Sequence, residues 1–96
     1  MFENKRYITR GVQTSVSLPL QTLLWYLIDS TDVPEKDWLL VFELGPAVNG
    51  QRIIHTQEKP PYRNEHVLRF GDVPLRAKLF VIDDGDHSTM LLANEY

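Results

Sequence analysis

Lys78-Leu79-Phe80-Val81-Ile82-Asp83-Asp84-Gly85-Asp86-His87-Ser88-Thr89-Met90-Leu91-Leu92-Ala93-Asn94 reads as two apolar strands clasping an acidic turn. Asp accepts hydrogen bonds from nearby backbone amides and Gly allows the chain to reverse, so Asp84-Gly85-Asp86 marks the turn itself. The strands are expected over Ala77 to Asp83 and Thr89 to Asn94. Tyr96 follows almost at once, and the closing strand is therefore expected to belong to the core.

Upstream, Trp38 to Leu44 and Gln51 to Glu58 read as a hairpin, joined by Gly45-Pro46-Ala47-Val48-Asn49-Gly50, whose Gly and Asn suit a reversing loop. Lys59-Pro60-Pro61-Tyr62-Arg63-Asn64-Glu65 reads as an extended, exposed connection, because two prolines remove ladder donors. A short strand near His66 to Phe70 and a turn at Gly71-Asp72 complete that region. Lys5 to Val12 alternates like an opening strand that runs into a loop. Ser17 can cap a helix with Pro19 in its first turn, and Leu20, Leu23, Leu24, Leu27 and Ile28 recur at helical spacing. This one main helix covers about residues 18–30 and frays at Asp29-Ser30-Thr31-Asp32, before Pro34.

The fold class is therefore α+β: one domain over residues 1–96, with a curled, mostly antiparallel sheet of five or six strands on one main helix. Strand parity adds a constraint. Trp38, Leu40, Phe42 and Leu44 share one face while Leu39 and Val41 share the other; Leu79, Val81 and Leu91 are set against Phe80, Ile82, Met90 and Leu92. Both faces come out apolar. A helix is about 10 Å across and five strands span roughly 24 Å, so one helix covers neither face completely. Either the sheet curls into a partial barrel, or an apolar face is buried against a protein partner or in a homodimer, and the two can coexist.

Ninety-six residues, 43% of them hydrophobic, suffice for a real core. Ten basic against 13 acidic residues leave a net charge of −3, without the basic field of a duplex-DNA binder. There are no cysteines, which excludes disulfides, thiol nucleophiles and thiolate-bound zinc. The longest apolar run, Leu23 to Ile28, is far short of the roughly 20 residues of a membrane helix, and Met1 to Arg6 lacks the apolar segment of a signal peptide. The expectation is a cytoplasmic protein with no membrane contact and no cofactor.

Several groups could carry chemistry. Asp83, Asp84 and Asp86, with His55 from a neighbouring strand, offer oxygen and imidazole ligands suited to Mg²⁺ or Mn²⁺ in an enzyme acting on nucleic acid. Turn formation explains the same aspartates, and adjacent Asp83 and Asp84 point to opposite faces of a strand. No serine has the surroundings of a hydrolase nucleophile. Lys59, Tyr62 and Arg63 combine cations with an aromatic, as in single-stranded nucleic-acid binders, although Glu58 and Glu65 dilute the charge. Asp29, Asp32, Glu35 and Asp37 could mimic a row of phosphates, or simply form a solvated surface. Trp25 and Tyr26 fall off the main arc of the helix and, with Trp38, are the candidate interface aromatics.

Arg6-Tyr7-Ile8-Thr9-Arg10-Gly11, Leu20-Gln21 with Leu24-Trp25, His55 with Gln57-Glu58, Pro60 and Tyr62, and Phe80-Val81-Ile82-Asp83-Asp84-Gly85 with Thr89 to Ala93 and Glu95-Tyr96 together resemble one family over nearly the whole chain. It is the small Gram-positive bacterial family known as domain of unknown function 960. The resemblance implies a single α+β domain without an established activity, some members lying in mobile genetic elements beside site-specific recombinases. It transfers no catalytic residue. A non-enzymatic accessory protein working through protein–protein contact is the leading functional expectation.

Overall fold

Thr9 and Ser17 each start a helix in the computed structural model, whose described residues are 1–69 and 73–96. Both sit in extended backbone, and their hydroxyls accept from the N–H groups of Val12 (3.3 Å) and Leu20 (3.4 Å). Helix α1 (Arg10–Ser15) and helix α2 (Leu18–Asp29) result. At the end of α2, the Ser30 and Thr31 hydroxyls donate back to the carbonyls of Tyr26 and Leu27, which stops the helix where short polar side chains were expected to.

Six strands form one sheet: β1 (Lys5–Ile8), β2 (Leu39–Ala47), β3 (Gly50–Gln57), β4 (Tyr62–Leu68), β5 (Ala77–Asp83) and β6 (His87–Leu92), in the order β1-β6-β5-β2-β3-β4. A 3-10 turn at Ala93–Glu95 follows β6. Among the described residues only β1 and β6 pair in parallel; the other neighbours are antiparallel, as the short connections of β2 to β3, β3 to β4 and β5 to β6 require. The curled sheet does not close, so β1 and β4 remain as edges.

One face holds the core. Leu40, Phe42, Leu44, Ile53, Leu79, Val81 and Met90 are buried together with Phe2, Val12, Val16 and the α2 residues Leu20, Leu24, Leu27 and Ile28. One helix would be too narrow for this face, and the chain supplements it with α1, with Phe2 and with two loops held down by glutamines of β3. Gln51 Nε2 donates to the Gly45 and Leu75 carbonyls while its Oε1 accepts from Leu75 N–H. At the other end of β3, Gln57 Nε2 donates to the Glu35 and Pro60 carbonyls and its Oε1 accepts from Asp37 N–H. Burial of these amides is tolerated because their polar atoms find partners.

Four expectations are corrected. The opening strand stops at Ile8 and gives way to α1, because Thr9 supplies a cap and the Glu95 carboxylate, distant in sequence, accepts from Thr9 Oγ1, Gly11 N–H and Leu92 N–H. Those donors, the Thr9 hydroxyl foremost, hold the Glu95 carboxyl below its ordinary pKa. The segment Lys59–Glu65 is not all connection: Pro60 and Pro61 lie in the turn, and β4 begins immediately after them, at Tyr62. The hairpin loop is shorter than Gly45–Gly50, since β2 runs on to Ala47 and Asn49, with φ 58°, makes the reversal. In β6 the register sets Met90 opposite Val81 and Leu91 opposite Phe80, so Met90 belongs to the core face and Leu91 to the other. The Asp84–His87 turn fixes that register, and a slip of one residue would exchange every side chain between faces. The expected end of a strand at Phe70 and the turn at Gly71-Asp72 lie outside the described residues.

Candidate protein-docking face

The second face of the sheet follows from the same registers. Leu39, Val41, Ile54, Phe80, Ile82 and Leu91 point away from the core, and none of them belongs to the buried cluster that includes both helices. Cross-strand pairing sets them in rows: Leu39 opposite Ile82, Val41 opposite Phe80, and Phe80 opposite Leu91. Leu91 is 8% exposed and the other five are half-buried. Tyr96 adds partial cover, its ring meeting that of Phe80 edge-on at 5.6 Å, and Lys78 Nζ lies 5.8 Å from the Phe80 ring centre.

Polar groups surround this apolar centre unevenly. A depression of about 260 Å³ in the face has Asp37, Leu39, Val41, Glu43, Glu58 and Lys78 among its walls. Asp37, Glu58, Asp84 and Asp86 lie where β2 starts, β3 ends and β5 turns into β6. Arg52, Arg76 and Lys78 lie at the opposite end of the strands. Arg52 pairs with Glu65 at 3.1 Å and Arg63 with the same carboxylate at 3.4 Å, both on the surface. Acids accompany these cations, Glu43 standing opposite Lys78 and Glu65 pairing with Arg52, so charges of both signs border the apolar centre.

The interface aromatics expected from the sequence separate. Trp25 is half-buried beneath the Arg6 guanidinium, 4.7 Å from its ring centre, and Arg6 is itself held by Asp29 and by the Phe2 carbonyl. Tyr26 is 63% exposed on the outer side of α2, beside Leu23 and Leu68. Trp38 is 47% exposed just before β2, where its carbonyl accepts from Asp83 N–H.

The expected metal ligands are also dispersed. His55 on β3 and Asp83 on β5 have β2 between them. Asp83 is buried and occupied: its carboxylate accepts from Phe2 N–H (2.7 Å), Gly85 N–H (2.8 Å) and Asn4 Nδ2 (3.0 Å). These donors, led by Phe2, hold its pKa below the usual 3.8 against the opposing effect of burial. Asp84 accepts from the N–H groups of Asp86 and His87 and pairs with the His87 ring at 3.1 Å, while Asp86 is exposed. Among the described residues no three His, Asp or Glu side chains assemble into a metal-holding group.

Lys59, Tyr62 and Arg63 do not form a common platform. Tyr62 is half-buried with its ring edge toward His55 at 5.4 Å, Arg63 is engaged by Glu65, and Lys59 sits in the turn before β4. Among the described residues no helix is long and apolar enough to cross a membrane.

The family model described as "Staphylococcal protein of unknown function (DUF960)" matches residues 5–95. The chain belongs to this family. A solved structure from Enterococcus faecalis, described as a protein of unknown function, superposes with a TM-score of 0.87 at 27% identity, covering 98% of this chain and 92% of the other. No curated protein matches the chain. Family membership accords with the resemblance in the Arg6–Gly11, Leu20–Trp25 and Phe80–Gly85 blocks, all inside the matched span. Of the outward residues, the sequence left Ile54 on β3 unremarked and set Leu91 of β6 with Val81 rather than with Phe80. The alternation of Gln51, Ile53, His55 and Gln57 with Arg52, Ile54 and Thr56 was the signal that could have found the first.

Proposed function

We propose that this protein is a non-enzymatic accessory protein of the cytoplasm that acts by binding another protein on the open face of its sheet. The observation that carries the reading is the row Leu39, Val41, Phe80, Ile82 and Leu91, which lies on the side of the sheet away from both helices. Apolar side chains aligned across three neighbouring strands, β2, β5 and β6, gain from a second surface that removes the remaining water. The charged margins add orientation to such a contact.

Affinity capture from the native host, comparing the wild-type protein with Val41→Glu and Ile82→Glu, tests the proposal. Both substitutions are at half-buried, outward positions, and circular dichroism checks that each variant is folded. The expected result is a protein partner retained by the wild type and lost by both folded variants. Identical capture by all three proteins contradicts the reading.

A further inference from the structure

We infer that β4 is built for strand addition: an extended segment of another protein, apolar on one side and acidic on the other, pairs along its free edge. β4 is seven residues long and ends the sheet, and its pairing with β3 runs unbroken from Tyr62 opposite Gln57 to Leu68 opposite Gln51. It contains no proline, lysine or bulge, devices that keep an edge strand from accepting a further chain. The other edge, β1, has four residues. Leu68 fixes which backbone groups of β4 look outward. A Cβ on Gly50 would stand 2.4 Å from the Leu68 carbonyl oxygen, so that carbonyl is turned toward β3. Backbone groups alternate along a strand; Tyr62, Asn64, His66 and Leu68 therefore address β3, whereas Arg63, Glu65 and Val67 aim N–H and C=O away from it. An extended chain is the partner whose own groups match three donors and three acceptors in such a row.

The flanking side chains set the character of that chain. On the helix side, Pro19, Thr22, Leu23 and Tyr26 of α2 join Leu68 and Arg69 around an open depression of about 480 Å³ beside β4. A strand about 4.8 Å beyond β4 turns every second side chain toward this depression, where apolar ones displace water from Leu23 and Tyr26. On the outer side, Arg52 and Arg63 converge on the single carboxylate of Glu65, which leaves positive charge in excess. Carboxylates at the alternate positions of the added strand answer that excess. The same charge disfavours a second copy, whose β4 would bring its own Arg52 and Arg63 beside the first pair. Strand addition at β4 leaves the open face of β2, β5 and β6 uncovered, so the two surfaces act independently.

Selection from a displayed library of random linear peptides of about nine residues, against the full chain, tests the inference. The enriched peptides are expected to alternate apolar and acidic residues and, once synthesised, to bind at roughly 10–100 µM, as an interface well under about 1,200 Å² allows. Binding slows amide exchange at Arg63, Glu65 and Val67. N-methylation of one alternate set of peptide amides abolishes binding and methylation of the other set is tolerated, because every second N–H faces β4. Tyr26→Glu and Arg63→Glu, both at exposed positions, each weaken binding at least about fivefold, and Val41→Glu on the open face leaves it unchanged. A selection that enriches no peptide overturns the inference, as do peptides that protect other amides or tolerate both methylation patterns. A dimer that protects the same three amides without peptide assigns the edge to a second copy and overturns the choice of partner.

Discussion

The imidazole of His55 lies nearly parallel to the ring of Phe42, 4.4 Å between centroids and 22° between planes, with Nε2 buried and without a hydrogen-bond partner. Burial, reinforced by the positive fields of His66 and Lys36, pushes its pKa down from 6.5 to about 4. His55 is therefore neutral in the folded protein throughout the physiological range and serves as an aromatic core residue.

Its titration gives a pH prediction. Below pH 6.5 the unfolded chain takes up a proton that the folded chain refuses, so stability falls as pH drops from 6.5 toward about 4 and then levels off with respect to this group. At about 1.4 kcal/mol per pH step the full loss is roughly 3 kcal/mol. His55→Phe removes both the proton site and the unpartnered nitrogen. It is expected to stabilise the protein at pH 7 by about 1 kcal/mol and by about 2 kcal/mol more at pH 5, measured by urea unfolding at the two pH values. Equal effects at both would contradict the assignment.

Asp83 ties the N-terminus to the sheet. Its bond from Phe2 N–H fixes a residue that is fully buried and has a left-handed φ of 67°. The carboxylate's lowered pKa means that its contribution is complete above pH 3.8 and is lost as pH falls below that value. Asp83→Ala should cost about 1–3 kcal/mol and increase amide exchange at Phe2 and Gly85. Phe2→Ala should cost more, about 3–5 kcal/mol, because it empties a core position.

Arg6 performs a related task from β1. Its guanidinium covers Trp25, pairs with Asp29 and donates to the Phe2 carbonyl at 2.9 Å and 3.2 Å. Arg6→Ala is expected to destabilise by about 1–2 kcal/mol and to shift the tryptophan emission to longer wavelength as Trp25 meets water. Arg6→Lys should recover only part of the loss, since an ammonium cannot stack and fork at once.

Gly50 meets β4 too closely for a side chain. A Cβ there would stand 2.4 Å from the Leu68 carbonyl oxygen, a backbone atom that moves only with its strand. Gly50→Ala should therefore cost at least about 1–3 kcal/mol and loosen the β3–β4 ladder, seen as faster amide exchange along Tyr62–Leu68.

Much of this architecture is written in local pattern. Ser17 and the leucine spacing announce α2, and the alternation from Leu39 to Leu44 announces which residues leave the core face. What escaped local reading depends on distant partners. Helix α1 is six residues long and includes Gly11, Val12 and Thr14, weak helix formers; its N-terminus is held by Thr9 together with Glu95, which accepts from Gly11 N–H across 84 positions. The phase of β6 follows from a turn register that the composition of Asp84–His87 does not reveal. The same holds for the docking face. Its apolar centre is legible from parity, whereas the row that sets Val41, Phe80 and Leu91 side by side appears only once the strands are in order.

The most direct test of the open face as a docking surface is site-specific photo-crosslinking in the native host, with the photoreactive residue placed at Phe80. Phe80 is at the centre of the open face. Discrete protein adducts from position 80 are the predicted outcome. No adduct at position 80 would contradict the account.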